Sequence, residues 1–335
     1  MSDRGNIVLE ICGLEAGYNG RKVLDALDLK LYEGELIGLA GRNGTGKSTL
    51  LKTICGLLKP VAGNVIIGGK KLSEIPGREL SKLVSFVSTE LPANVDLRVS
   101  ELVSLGRFPY TGAFGIIPKE DREFVDEIIE LTGLENIAGK KLHEISDGER
   151  QRALIARALA QDTGIIVMDE PTAFLDVPNR FSSVSLLRRL TRTRGQSIVM
   201  SSHDISVMLK TTDILWLITN GAIVHGAPED LVLEGAMNHL FSSNEFSFST
   251  ETGEFIYREK HDYLVGIQGE GMNLEWTVKA LARAGVKTVC NNNQTCNVII
   301  EAKPDQTNWI IEKNNHKFVY HSLYELTKEI INHLK

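Results

Sequence analysis

The chain has 335 residues, of which 42% are hydrophobic and 24% charged, and a formal net charge of −6. Its length exceeds the usual single-domain size, so two domains are expected, and the apolar content is ample for a core. No segment approaches the ~18 uninterrupted apolar residues needed to cross a bilayer, the start Met1-Ser2-Asp3-Arg4 lacks the apolar region of a signal peptide, and the acidic balance argues against general nucleic-acid binding.

In chain order, Leu36-Ile37-Gly38-Leu39-Ala40 reads as a buried strand and runs directly into Gly41-Arg42-Asn43-Gly44-Thr45-Gly46-Lys47-Ser48-Thr49. Strand, glycine-rich loop and helix in register make a phosphate-binding loop. Its glycines let successive backbone N–H groups turn inward, and the helix presents its positive end to the same anion. In that geometry Lys47 holds the β- and γ-phosphates of a nucleotide and the Ser48 hydroxyl ligates Mg²⁺. Further on, Leu97, Leu102 and Leu105 have helical spacing, which Gly106 and Pro109 break. Ile145-Ser146-Asp147-Gly148-Glu149-Arg150-Gln151 leads into a run rich in Ala, Leu and Arg that reads as a helix. Gly164 to Met168 is a continuous apolar run ending in Asp169-Glu170, which sets both carboxylates at the carboxyl end of a buried parallel strand. There Asp169 positions Mg²⁺ and Glu170 polarises an attacking water. Ile198-Val199-Met200 is another apolar strand, followed by Ser201-Ser202-His203-Asp204.

The character changes after residue 242. Ser242 to Thr250 is polar and interrupted, a linker by composition. Beyond it, Tyr263–Ile267, Val286–Val289, Asn297–Ala302, Asn308–Glu312 and Lys317–Tyr320 read as strands, and Leu274–Ala284 and Ser322–Leu334 as helices. Gly266, Gly269 and Gly271 read as a strand-to-helix turn, and Asn291-Asn292-Asn293-Gln294 as a polar turn. The cysteines are Cys12, Cys55, Cys290 and Cys296; their sparseness favours ordinary thiols over a redox or metal pair.

Taken together, residues 5–242 resemble the ATP-binding cassettes of ABC transporters, with the motifs in that family's order. Ile145-Ser146-Asp147-Gly148-Glu149 stands where the family has Leu-Ser-Gly-Gly-Gln; Ser146 and Gly148 match and three positions differ. The resemblance implies that Tyr18 stacks on adenine, that Asp176 in Phe174-Leu175-Asp176 crosses a dimer interface, and that His203 contacts the γ-phosphate. Leu83 to Glu90 looks like the strand that ends in the family's metal- and water-contacting glutamine. No glutamine occurs between Leu83 and Arg107, and Thr89 or Glu90 occupies its place. The run Leu-Gly-Arg-Phe-Pro-Tyr-Thr-Gly at 105–112 falls in the helical insertion that faces membrane subunits, and is similar to that of importer ATPases for iron-siderophore, haem and cobalamin complexes.

The expected fold is a P-loop α/β cassette with a helical subdomain at 5–242, a linker at 243–260 and a small α+β accessory domain at 261–335. The expected activity is hydrolysis of ATP with Mg²⁺. Two copies would meet head to tail, each ATP held by the 41–49 loop and Asp169 of one chain and by the 146–149 segment (Ser146, Asp147, Gly148, Glu149) of the other. Expected partners are polytopic permease subunits and, indirectly, a substrate-binding protein, with the chain cytoplasmic on the inner face of the membrane. No nucleic acid is expected. Two alternatives are a non-transport ABC ATPase, which would normally show a coiled coil or second cassette, and a catalytically weakened regulatory module, against which Glu170 and His203 argue. Dimer contact or packing is favoured for the accessory domain over regulation by a small ligand.

Overall fold

A computed structural model describes residues 5–88, 96–112, 117–173, 175–243, 245–257, 263–290, 299–302, 308–313 and 316–334. The chain divides into two compact units, one of Met1–Leu240 with Thr250–Glu254, the other of Phe241–Ser249 with Phe255–Lys335.

The first unit contains two sheets. Strand β1 (Ile7–Tyr18) alternates inward and outward residues, burying Leu9, Ile11, Leu14 and Ala16. It pairs antiparallel with β2 (Arg21–Tyr32) and β4 (Ala62–Ile67), and the short β5 (Lys70–Lys71) completes the order β2-β1-β4-β5. The larger sheet has the order β10-β9-β3-β8-β7-β6, from β3 (Leu36–Gly41), β6 (Val84–Val87), β7 (Ile165–Met168), β8 (Ser197–Ser201), β9 (Ile214–Thr219) and β10 (Ala222–Gly226). All its pairings are parallel except that of the edge strand β10. Strands β3, β7 and β8 are buried along their whole length, which explains their unbroken apolar sequences. Because these three neighbours run parallel, the loops that leave them open at one edge of the sheet.

Helices α1 (Lys47–Ile54) and α2 (Gly77–Leu80) come first, then α3 (Val99–Ser104), α4 (Lys119–Leu131) and α5 (Asp147–Ala160). Val99, Leu102 and Val103 of α3 share a core with Val125, Ile128 and Ile129 of α4 and Ala153 and Leu154 of α5, and this packing forms the helical subdomain. Helices α6 (Val177–Arg194), α7 (Ile205–Thr211), α8 (Pro228–Leu233) and α9 (Ala236–Phe241) follow. The α-helical spacing breaks where expected: α3 ends at Ser104, before Gly106 and Pro109, and the chain tightens into a 3-10 helix over Leu105–Tyr110. Gly106 is required by contact, since a Cβ there would lie 2.3 Å from the Arg157 carbonyl oxygen. Arg107 then donates to the Ala160 carbonyl at 3.0 Å and pairs with Asp121 at 2.6 Å, and the Tyr110 hydroxyl donates to the Gln161 carbonyl at 3.1 Å. These bonds pin the segment to the end of α5.

In the second unit, β11 (Phe246–Ser249) and β12 (Glu254–Tyr257) form a two-stranded sheet within the stretch read as linker. Phe255 meets Phe241, Phe246 and Phe248 edge-on, with centroids 6.1, 6.0 and 5.2 Å away. That cluster supplies the apolar contact its polar neighbours conceal. A five-stranded sheet has the order β14-β13-β15-β16-β17, from β13 (Tyr263–Gly269), β14 (Val286–Cys290), β15 (Ile299–Ala302), β16 (Trp309–Lys313) and β17 (His316–Tyr320). With α10 (Gly271–Arg283) and α11 (Leu323–Leu334) it encloses a core of Val265, Ile267, Leu281, Ile300, Trp309, Ile311, Leu326 and Ile330. The α+β expectation holds here, with α10 starting at Gly271 rather than Leu274. Asn291 to Gln294 and Cys296 lie outside the described residues. No helix among the described residues is long and apolar enough to cross a membrane.

Candidate nucleotide site

Strand β3 delivers Gly41 to the sheet edge, and the loop returns to begin α1 at Lys47. Two glycines are dictated by this geometry. A Cβ on Gly41 would lie 2.8 Å from the Ile218 carbonyl oxygen, and Gly46 has φ +105° with Leu24 Cδ2 2.7 Å from where its Cβ would stand. Lys47 is 6% exposed and its ammonium donates to the carbonyls of Gly41 at 2.9 Å and Arg42 at 3.3 Å. Burial lowers the pKa of Lys47, while the charges of Glu170 and Asp169 act to raise it, so all three groups feel one another. No acidic side chain stands in the first turn of α1, which leaves its positive end for an external anion. Arg42, Asn43 and Gly44 are exposed on the loop, Thr45 ties back through its hydroxyl to the Arg42 carbonyl at 2.8 Å, and Ser48 is half-buried beside buried Thr49.

The two carboxylates follow β7. The Asp169 amide donates to the Val87 carbonyl at 2.8 Å, and the next residue, Glu170, adopts φ +50°, a strained choice for a side chain of this kind. Ser201 holds both in place: its hydroxyl donates to Asp169 Oδ1 at 2.7 Å and accepts the Glu170 amide at 2.8 Å. Glu170 Oε1 in turn lies 2.5 Å from His203 Nε2. Lys47, Asp169, Glu170 and His203 are therefore brought to one edge of the sheet by β3, β7 and β8. A buried cation, an uncompensated helix terminus and two strand-end carboxylates fit a nucleotide triphosphate with a divalent cation. Val87 is the register partner of Met168, so the chain leaving β6 starts beside Asp169; Thr89 and Glu90 lie outside the described residues.

The remaining expected residues lie at the end of β1 and at the N-termini of α5 and α6. Tyr18 is 44% exposed at the β1–β2 turn, on the hairpin whose Val23 and Leu24 pack against Gly46. Asp176 caps α6 by accepting the Asn179 amide at 3.0 Å. Ser146 caps α5, and its hydroxyl donates to Glu149 Oε2 at 2.8 Å while accepting the Glu149 amide at 3.3 Å. The Ser146 amide also donates to Glu149, and these backbone and hydroxyl bonds hold the Glu149 carboxyl below its ordinary pKa. Asp147 pairs with Arg150 at 3.1 Å, and Gly148 sits near Leu175, whose Cδ2 would be 3.3 Å from a Cβ. The Ser-x-x-Glu spacing of a capping box was the available signal for the role of Glu149. Two positioning residues had no local signal. Ser201 is one. Arg180 is the other: it pairs with Asp204 at 2.6 Å and donates to the Leu175 carbonyl at 3.3 Å, joining the segment before Asp176 to the one after His203.

Fold and site define a P-loop nucleotide hydrolase. The family model "ABC transporter" matches residues 24–173, and "Iron ABC transporter C-terminal domain" matches residues 262–331. An uncharacterized ABC transporter ATP-binding protein of Methanocaldococcus jannaschii is 35% identical over 249 residues, 74% of this chain and 86% of its own length. The iron(3+)-hydroxamate import ATP-binding protein of Bacillus subtilis is 34% identical over 211 residues, 63% of this chain and 78% of its own. Among solved structures, a dimeric bacterial ABC transporter cassette is 30% identical with a TM-score of 0.58, covering 66% of this chain and 98% of that one. The chain belongs to the ABC transporter ATP-binding family, and it is an ATPase of that family.

Proposed function

We propose that this chain is the ATP-hydrolysing subunit of an importer for iron-siderophore, haem or cobalamin complexes, with iron chelates favoured by the match of residues 262–331 to the iron transporter domain. The observation that carries the catalytic half is the convergence of Lys47, Asp169, Glu170 and His203 at one sheet edge. Lys47 and the N–H groups of the 41–49 loop hold the phosphates, and Tyr18 stacks on the base. Ser48 and Asp169 would hold Mg²⁺, which neutralises charge on the phosphates. Glu170 accepts a proton from the attacking water, oriented by its bond to His203, and His203 senses the γ-phosphate.

A second copy completes the site. Ser146 and Gly148, at the N-terminus of α5, reach the partner's γ-phosphate while Asp147 and Glu149 flank them, and Asp176 crosses the interface. For Ser146 this requires exchanging the Glu149 carboxylate for phosphate. Closure on ATP and opening after hydrolysis drive polytopic permease subunits at the inner face of the membrane, supplied by a substrate-binding protein. The permease would dock in a groove of about 640 Å³ lined by Arg78, Leu105, Phe108, Pro109 and Gln161, where Phe108 is 70% exposed. Reconstitution with the permease and binding protein in vesicles tests the reading. ATP-dependent uptake of a radiolabelled ferric siderophore, lost in Phe108→Asp while basal ATPase persists, is the expected result. Uptake of cobalamin alone would shift the substrate assignment, and ATPase activity without any permease association would defeat the transport assignment.

A further inference from the structure

A second cavity lies away from the phosphate loop, in the angle between the end of α4, the second turn of α5 and the first half of α6. Its volume is about 380 Å³, within the range of small-molecule sites. Arg152 and Arg189 line it, with Asn179 and Ser183 adding amide and hydroxyl donors and Leu131 and Ile155 forming an apolar wall. Among the described residues no carboxylate lines this space. Arg152 Nε has no hydrogen-bond partner and is covered by protein atoms, so an anion in the cavity would meet the outer nitrogens of this guanidinium. The counter-charge on its own helix is already committed: Glu149 acts on Arg152 electrostatically, but its carboxylate is bonded to the Ser146 amide and hydroxyl, both at 2.8 Å.

We propose that this cavity binds a small phosphate-bearing organic anion, its phosphate between Arg152 and Arg189 and its body against Leu131 and Ile155. Guanidinium groups present a planar fork of donors that suits phosphate oxygens. Two such forks with a hydroxyl and an amide offer more donors than the two oxygens of a carboxylate can accept. The anion would bridge α5, which carries Ser146 at its start, to α6, which Asp176 caps, so its presence would brace the two segments assigned to the partner's ATP.

The test uses the full chain carrying Lys47→Ala, so that the phosphate loop does not compete. Glycerol 3-phosphate and inorganic phosphate are titrated by calorimetry against a potassium chloride control of equal ionic strength. Glycerol 3-phosphate should bind saturably at one site per chain, more tightly than inorganic phosphate, and at least tenfold more weakly after Arg152→Gln or Arg189→Gln. Amide exchange in residues 179–189 should slow on binding. Because Arg152→Gln could fail to fold, thermal melts accompany both variants, and Arg189→Gln at its exposed position decides alone if necessary. The proposal is overturned by absence of binding, by unchanged affinity in folded Arg189→Gln, by a chloride response of equal size, or by inorganic phosphate binding as tightly as the organic probe.

Discussion

Replacing Ser201 by alanine removes one oxygen, yet it should reach both carboxylates of the nucleotide site. Ser201 is fully buried, donates to Asp169 at 2.7 Å and accepts from the Glu170 amide at 2.8 Å. Loss of a hydrogen bond to a charged group costs about 1.5–3 kcal/mol, and a buried amide left without a partner costs about 1–3 kcal/mol. The two terms overlap, because both follow from one deleted atom, so about 2–4 kcal/mol is the expected local destabilisation. Glu170 also sits at φ +50°, a conformation that costs about 1–3 kcal/mol and that the Ser201 contact helps to hold. Ser201→Ala should therefore let residue 170 relax and carry its carboxylate away from His203. Steady-state ATPase assays should show kcat lowered about 10- to 100-fold, the usual range for losing a residue that orients a metal ligand. KM should move much less. Exchange of the Glu170 amide should accelerate by at least about 30-fold, the equivalent of about 2 kcal/mol. Ser201→Thr should restore most of the activity, since it keeps the hydroxyl. A folded Ser201→Ala protein with kcat within about twofold of wild type would refute the clamp.

Other perturbations address separate links. Glu170→Gln should retain ATP binding but abolish nearly all turnover, because the amide cannot take the water's proton; turnover at the wild-type rate would remove Glu170 from the base role. Burial lowers the pKa of Lys47 and nucleotide phosphates would raise it again, so ATP binding at alkaline pH should take up protons. Calorimetry in buffers of different ionisation enthalpy should show that uptake in wild type and none in Lys47→Met; buffer-independent enthalpy in wild type would contradict it. The Glu149 pKa is depressed in the folded chain, so its capping contribution is present above the ordinary carboxylate value and lost as pH falls through the lowered one. Protection of the α5 N-terminus against exchange should decline over that acid window in wild type and stay flat in Glu149→Gln. Finally, Arg107→Ala should lower stability by about 3 kcal/mol by stranding Asp121, 15% exposed by side chain, with Arg107→Lys recovering part of the loss; a denaturation curve unchanged by Arg107→Ala would show that the pair is dispensable.

The sequence displayed the phosphate loop because its chemistry is local: glycines, Lys47 and Ser48 lie within nine consecutive residues after an apolar strand. Asp169 and Glu170 were legible for a similar reason, being the abrupt end of a buried run. The strands of the second unit also showed, since alternation and turn residues mark each one. Ser201 was not legible. A serine inside an apolar strand acquires meaning only when β8 is laid beside β7, a fact of topology. Arg180 and Asp204 are 24 residues apart, one in the first turn of α6 and the other capping α7, and they meet only because α6 and β8 carry the chain away and back, which no spacing rule encodes. The β11–β12 sheet was hidden because Phe246, Phe248 and Phe255 are dispersed among polar residues and find one another only once the chain has turned. Gly106 marked the end of α3 correctly, but its second role, the close approach to the Arg157 carbonyl, depends on α5 and had no local signal.

The central claim is that one ATP is held by Lys47 and Asp169 of one chain and by Ser146 of another. Crosslinking tests it most directly, with Ser146→Cys in one chain and Asn43→Cys in its partner, both in the Glu170→Gln background so that bound ATP persists. The account predicts a disulfide-linked dimer whose yield rises with ATP and falls back when nucleotide is removed. A folded, ATP-loaded protein whose crosslink yield is the same with and without ATP would contradict it.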